Sequence, residues 1–270
     1  MMKLNKRLDS YLFENGYFDS REKAKRNIMA GNVFINGKRK EKPGEKIKNI
    51  ETIEIKQKEL IYVSRGGLKI EKAFKVFDFE VKNLIAMDIG ASTGGFTDCM
   101  LRNGAKKVYA IDVGYGQLDW KLRQDERVIC LERKNFRHMD FEEINEKVDR
   151  ITMDVSFISV VKLLEKIKIF LKENGEAVIL IKPQFEAGKE FVGKNGIIKD
   201  KNIHENVLFD TLQEFKKNGL KVMALDYSPV KGTKGNIEYI CYIKNTCNEE
   251  IDQNFDKMID LVVNNAHNEL

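Results

Sequence analysis

Apolar residues recur at Leu4, Leu8, Leu12 and Phe13, a spacing that places them on one face of a helix over residues 3–16, with Lys3, Lys6, Arg7 and Asp9 elsewhere on its surface. Gly16 ends that helix, and Asp19 or Ser20 supplies the N-cap of a second one. In the second helix Ala24, Ile28 and Met29 point inward, while Arg21, Lys23, Lys25 and Arg26 are presented outward; Gly31 closes it. A short strand at Val33-Phe34-Ile35 then meets Asn36-Gly37, the dipeptide best suited to positive φ in a tight hairpin, and the return strand carries Lys38, Arg39 and Lys40. After a turn at Pro43-Gly44 comes an alternating strand over residues 50–55.

From residue 60 the pattern changes. Leu60-Ile61-Tyr62-Val63 reads as a short apolar link, followed by Ser64-Arg65-Gly66-Gly67 and a helix over residues 68–77. Buried-strand signals at 85–89, 107–112, 127–131, 150–153 and 177–181 then alternate with helical segments at 95–103, 117–123, 159–171 and 202–218. Alternation at this spacing predicts an α/β domain whose mostly parallel sheet is covered on both faces, a Rossmann-like arrangement. Strands at 221–227 and 238–244 complete the sheet as a hairpin at one edge, the last strand antiparallel. Ile251, Phe255, Ile259, Val262 and Ala266 predict a terminal helix packed on the domain, with six carboxylates against Lys257 on its other faces.

Charge adds a division that hydropathy does not show. The 270 residues carry a net +5, and residues 1–60 hold 15 Lys and Arg against 9 Asp and Glu, a net of +6. The excess positive charge therefore sits in the first segment, which points to docking on a polyanion there and to another task downstream. Cys99, Cys130, Cys241 and Cys247 have no Cys-x-x-Cys spacing, and His138, His204 and His267 do not cluster, so free thiols in a reducing cytoplasm and no metal site are expected. No apolar run approaches 18 residues and the N-terminus lacks a signal-peptide pattern, so neither a membrane span nor export is expected.

The chemistry concentrates in two places. Asp88-Ile89-Gly90-Ala91-Ser92-Thr93-Gly94-Gly95-Phe96 follows the first strand of the sheet and opens a helix; its glycines let backbone approach a ligand. The spacing is not the Gly-x-Gly-x-x-Gly of a pyrophosphate cradle, and a carboxylate at the strand end suits a cationic amino or sulfonium group. Asp112 ends the next strand, where it can accept both ribose hydroxyls of a nucleoside. These features predict S-adenosylmethionine as the ligand. Four charged residues also stand where the apolar pattern does not need them: Lys69 in the first helix of the domain, Asp154 after the strand 150–153, Lys182 after 177–181, and Glu238 at the entry to the last strand. The carboxyl ends of parallel strands form the ligand crevice of such a sheet, and an antiparallel last strand brings its N-terminal end to the same edge.

These segments resemble known families. Arg7-Leu8-Asp9, Ser20-Arg21, Ala24, Gly31, Val33, Ile35-Asn36-Gly37 and Pro43 are similar to the RNA-binding domain of the ribosomal protein S-four type, an α+β fold. The run 88–96 resembles the FtsJ-type ribose methyltransferases, and Lys134-Asn135-Phe136-Arg137 resembles their adenine-flanking turn, with Asn135 where an aspartate usually stands. Lys69, Asp154, Lys182 and Glu238 match the Lys-Asp-Lys-Glu signature of transfer to ribose 2′-hydroxyls. Together with Ser64–Lys69, Asp154-Val155-Ser156-Phe157 and Lys182-Pro183-Gln184-Phe185-Glu186, this two-domain order resembles the TlyA family over residues 3–245. The resemblance implies a monomeric cytoplasmic enzyme that methylates cytidine ribose in large-subunit ribosomal RNA and, given the terminal helix, in the small subunit too.

The expected division is an RNA-binding domain at 1–59, a linker at 60–63, a catalytic domain at 64–247 and a terminal helix at 248–270. The expected cofactor contacts are Asp88, Gly90, Ala91, Ser92, Gly94, Gly95, Phe96, Asp112, Asn135, Phe136 and Asp154. Lys6, Arg7, Arg21, Lys23, Lys25, Arg26, Lys38, Arg39, Lys40 and Arg65 are expected on RNA. Lys182 either takes the hydroxyl proton, if desolvation frees its amine, or steers the lone pair while proximity does most of the work. Two readings from other classes, a non-catalytic ribosome-binding module and a membrane-active hemolysin, lack any need for the four charged residues or lack an inserting segment.

Overall fold

The computed structural model describes residues 6–29, 31–47, 52–55, 61–193, 195–232, 235–246 and 254–270, with the backbone but not the side chain of Arg26. It divides between Leu60 and Ile61 into two compact units. The first contains β1 (Lys6–Arg7), α1 (Leu8–Glu14), α2 (Arg21–Met29), β2 (Val33–Ile35), β3 (Lys38–Lys40), β4 (Lys46–Ile47) and β5 (Ile53–Ile55). Leu8, Leu12, Ala24, Ile28, Val33, Ile35 and Ile47 form its core. The first helix is shorter than its periodicity suggests, because Lys6 and Arg7 pair as a strand with β4 instead of adding a helical turn. Phe13 and Met29, expected inward, are exposed: each lies next to a core residue, Leu12 or Ile28, and about 100° around the helix from it. Leu4 and residues 48–51 lie outside the described residues. The hairpin turn takes the conformation its sequence requires, with φ 48° at Asn36 and 74° at Gly37.

The second unit runs α3 (Gly66–Val76), β6 (Ile85–Ile89), α4 (Gly95–Arg102), β7 (Lys107–Asp112), α5 (Trp120–Arg123), β8 (Val128–Glu132), β9 (Val148–Met153), α6 (Leu164–Phe170), β10 (Leu171–Ile181), α7 (Pro183–Glu186), α8 (Lys201–Lys217), β11 (Leu220–Tyr227), β12 (Tyr239–Asn245) and α9 (Asp256–Glu269). Its seven strands are ordered β11-β12-β10-β9-β6-β7-β8, and β12 alone runs opposite to the other six. Alternate strand residues feed opposite faces: Met87 and Ile89 join the core under α6, α8 and α9, while Ala86 packs toward α3 and α4. The sheet starts at β6, proceeds to β7 and β8, then returns past β6 to β9. The gap between β6 and β9 is thus the switch point where a crevice opens.

Ile61-Tyr62-Val63, expected as a connector, belongs to the second unit: Tyr62 is buried in its core and the Val63 N–H donates to Asp98 Oδ2 at 2.9 Å. The β11–β12 pair closes one edge of the sheet as expected, with β11 outermost, and β12 buries Tyr239, Ile240, Cys241 and Ile243 on its two faces. The segment 159–171 splits into a 3-10 turn at Val160–Leu163 and the shorter α6, with Ser159 capping the turn. Phe255, Ile259, Val262, Val263 and Ala266 bury the inner face of α9 in the main core. Cys247 and the start of the predicted terminal helix, residues 248–253, lie outside the described residues.

Candidate active site

Two cavities open at the β6–β9 switch point, of about 370 Å³ and about 330 Å³, and both border Gly90, Ser92, Asp154 and Ser156. The first is polar and takes in Arg65, Lys69, Asp88, Lys182 and Glu238. The second has an apolar floor with Ile111, Val155 and Leu163, and carries Asp112 and Asn135 on its walls.

The glycine loop is shaped by what surrounds it. Gly90 sits at φ 81°, and a Cβ there would lie 2.6 Å from the Asp154 carbonyl oxygen; a Cβ on Gly95 would lie 2.8 Å from the Gly67 amide nitrogen, where α3 starts. The two glycines therefore let β9 and α3 close on the loop, which brings Asp154 and Lys69 to it. Asp112 accepts the Ser92 N–H on one oxygen at 2.8 Å and the Gly114 N–H on the other at 2.7 Å, so β7 braces the loop. Ser92 holds φ 49° there.

Asp88 departs from the simple expectation of a carboxylate reaching for a ligand. It is buried, one oxygen accepting the Thr97 N–H (2.9 Å) and hydroxyl (2.7 Å), the other the Thr152 hydroxyl (3.2 Å). Burial pushes its carboxyl up to about 7 against those three donors. Its first duty is to tie β6 to β9 and to the first turn of α4, while its edge still borders the polar cavity. A threonine inside the apolar run 150–153 was the available signal, since a buried hydroxyl needs a partner.

The four charged residues of the sequence converge. Lys69 Nζ donates to Glu238 Oε2 at 2.7 Å and to Asp154 Oδ2 at 2.9 Å. Lys182 Nζ pairs with Asp154 Oδ1 at 2.5 Å and donates to the Ser156 hydroxyl at 3.0 Å. The result is an unbroken chain, Glu238–Lys69–Asp154–Lys182–Ser156, in which Lys69, Lys182 and Glu238 are buried. Each has a topological reason. Asp154 follows β9 and Lys182 follows β10, both at carboxyl ends; the antiparallel register sets Ile181 opposite Tyr239, and so Lys182 beside Glu238. Burial works against the Asp154 charge, yet the flanking ammonium groups outweigh it and hold its carboxyl below the ordinary range. Burial likewise opposes the Lys69 charge, and Asp154 and Glu238 more than offset it, raising that ammonium. Ser156 was not singled out from the sequence; only the fold shows that it meets Lys182.

Other expected cofactor contacts fall differently. Phe96 and Phe136 are core side chains, the latter against Phe170 at 5.5 Å, so each offers a cavity edge and no free ring. Gly94, at φ 92°, is pressed by Leu118 and Leu122 and serves the turn; Ala91 is buried beside it. Asn135 accepts the Arg137 N–H at 3.1 Å and caps the 3-10 turn Phe136–His138, leaving its amide hydrogens at the second cavity.

On the first unit the expected RNA-facing cations are engaged locally. Arg7 and Arg21 both donate to Asp9, which is 0% exposed. Lys6 pairs with Glu14, Lys23 with Asp19, Lys25 with Glu22, Arg39 with Glu41 and Lys40 with Glu45, all at the surface. Lys38 is exposed on β3, and the Arg26 side chain lies outside the described residues. Surface pairs of this kind contribute about 0–1 kcal/mol, so the lysines can exchange carboxylate for phosphate at little cost.

Among the described residues no group of three or more His, Cys, Asp or Glu side chains converges as metal ligands do, and no helix is long and apolar enough to cross a membrane.

Known families and relatives match this chain over both units. Residues 62–245 match the FtsJ-like methyltransferase family and residues 6–51 match the S4 domain. YqxC of Bacillus subtilis, named as a candidate rRNA methyltransferase, is 48% identical over 244 residues, 90% of this chain and 87% of that protein. A Mycobacterium tuberculosis protein named 16S/23S rRNA (cytidine-2′-O)-methyltransferase TlyA is 36% identical over 239 residues, 88% of this chain and 89% of its own. The solved structure of a Streptococcus thermophilus protein named as a candidate hemolysin is 45% identical with a TM-score of 0.79, covering 99% of this chain and 98% of that one.

Proposed function

This chain belongs to the FtsJ-like methyltransferase family, and from that premise we propose that it moves the methyl group of S-adenosylmethionine onto the ribose 2′-hydroxyl of cytidine in ribosomal RNA. The observation that carries the proposal is the chain of charges Glu238–Lys69–Asp154–Lys182 facing the same cavity as the glycine loop. Cytidine and the ribosomal target follow the name of the Mycobacterium relative. Both subunits are proposed as substrates, in keeping with that name and with the packed terminal helix.

The cleft fits the cofactor. Asp112 and Asn135 flank an apolar slot suited to adenosine, with Asn135 offering amide hydrogens where a carboxylate would offer only acceptors. Asp88 and the loop amides border the polar side, which suits an amino acid moiety. When bound, S-adenosylmethionine supplies a sulfonium methyl open to in-line attack.

The protein's own groups then position the attacking hydroxyl. Asp154 and Ser156 engage two directions of Lys182 Nζ, leaving the third for the ribose oxygen, so Lys182 would orient that oxygen's lone pair while the hydroxyl proton would pass to solvent as the O–C bond forms and the S–C bond breaks. Asp154 spaces the two lysines, and Glu238 fixes Lys69, whose remaining hydrogen meets negative charge on the hydroxyl oxygen or the adjacent phosphate. Phe157 offers a ring 92% exposed beside this point, a platform on which a base can stack. The first unit, with its lysines and Lys38, supplies phosphate contacts that hold RNA without reading sequence, and Arg65 at the cavity rim adds one near the reacting ribose.

Calorimetric titration with S-adenosylmethionine tests the proposal at the cofactor. One equivalent binds, and Lys182→Ala binds within about threefold of the parent because Lys182 serves the nucleophile. A parent protein that binds none would leave a ribosome-binding module without catalysis.

A further inference from the structure

Phe157 poses a problem of backbone energetics. It is a bulky residue at φ 65°, where strain costs about 1–3 kcal/mol, and at 92% exposure its side chain recovers almost nothing by burial. Something outside the loop must hold it. Three contacts join the segment 154–160 to the turn that carries Lys182. Lys182 Nζ donates to Ser156 at 3.0 Å; the Phe157 ring lies on Phe185 at 5.2 Å; and Glu186 Oε1 accepts the Val160 N–H at 2.9 Å. The contacts advance in step along the two segments, 156 with 182, 157 with 185 and 160 with 186, like successive teeth of one latch.

We infer that Glu186 is a positioning residue, the far end of a latch that holds the strained Phe157 loop against the Lys182 turn. Ser156 and Phe157 are only as well placed as the loop that bears them, and Glu186 closes the loop where it enters the 3-10 turn at Val160–Leu163. The half-buried Glu186 carboxyl is pushed upward by its burial, and the Val160 N–H it holds needs an acceptor oxygen at that place. In the run Lys182-Pro183-Gln184-Phe185-Glu186, the first, fourth and fifth residues each touch the Asp154–Val160 segment.

The inference rests on the methyltransferase function for its consequence but not for its geometry, so two readouts separate them. In Glu186→Ala, amide hydrogen exchange over residues 155–160 rises about tenfold or more, while exchange in β6 and β9 is unchanged. With ribosomal subunits, kcat/KM falls about tenfold and S-adenosylmethionine affinity stays within about twofold. Glu186→Gln, which keeps the acceptor, returns both to within about threefold of the parent. In a Phe157→Ala background Glu186→Ala costs less than about twofold more, because both act on one loop. Should the alanine variant not fold, Glu186→Asp, a methylene short of Val160, carries the same expectations. Unchanged exchange over 155–160, or losses that multiply in the double variant, would overturn the latch. A parent enzyme that transfers no methyl group would overturn the functional proposal instead, and the exchange measurement would still decide the latch.

Discussion

Asp9 has no exposed surface, yet it is a carboxylate, and its five donors explain how that is tolerated. Arg7 and Arg21 each give two N–H groups and Ser10 gives its amide, holding the Asp9 carboxyl down at about 2. A core of only a few apolar side chains has little stability to spare. Asp9→Ala should therefore cost about 1–2 kcal/mol, since it removes the buried acceptor that two half-exposed guanidinium groups share. Amide exchange or chemical denaturation of the first unit measures the loss, and a change below about 0.5 kcal/mol would show the cluster to be incidental. In the sequence Asp9 looked like a polar residue on the outer face of a helix, because a charge pattern cannot say which carboxylate two arginines will share. Lys69, Asp154, Lys182 and Glu238 were legible for the opposite reason. Asp154, Lys182 and Glu238 each follow or precede an apolar strand whose end must lie at the crevice, so secondary structure alone nearly fixes their position, while Lys69, inside α3, stood out through the Lys-Asp-Lys-Glu pattern. Ser156 and Glu186 were not, because a serine in a loop and a glutamate in a short helix carry no such constraint.

At the level of elements, period-two and period-3.6 patterns located the seven strands and the long helices to within a few residues. One misplaced detail has a physical cause: two residues of α1 were taken by strand pairing. α9 shows what such patterns leave out. Its apolar stripe was readable, but not that His267 Nε2 would sit 3.3 Å from Nδ1 of the buried His204. The Ile198 carbonyl can only accept, so His204 Nε2 carries the hydrogen and Nδ1 receives the Tyr239 hydroxyl at 2.7 Å. Burial lowers His204 from 6.5 to about 4. Its neutral form is favoured by folding, so this stability is whole above about pH 6.5 and is lost as pH falls toward 4. The full span is worth about 3 kcal/mol. Thermal melting should show that the parent loses more stability than His204→Gln over that interval. Parallel pH profiles for the two proteins would contradict the assignment.

The whole molecule combines a net-positive first unit with a second unit near neutrality that holds the cleft. Composition made that asymmetry visible, since charge counts do not depend on the fold. It did not show that Lys6, Lys23, Lys25 and Lys40 rest on neighbouring carboxylates, which the phosphates of a bound RNA would have to displace. On the proposed function the two units divide the task between holding RNA and reacting with it. The most direct test is to incubate ribosomal subunits that lack the modification with the protein and methyl-labelled S-adenosylmethionine, then digest the RNA to nucleosides. The label should appear as 2′-O-methylcytidine with the parent protein and be absent with Lys182→Ala. Label on a base, label on another nucleoside, or undiminished transfer by Lys182→Ala would contradict the account.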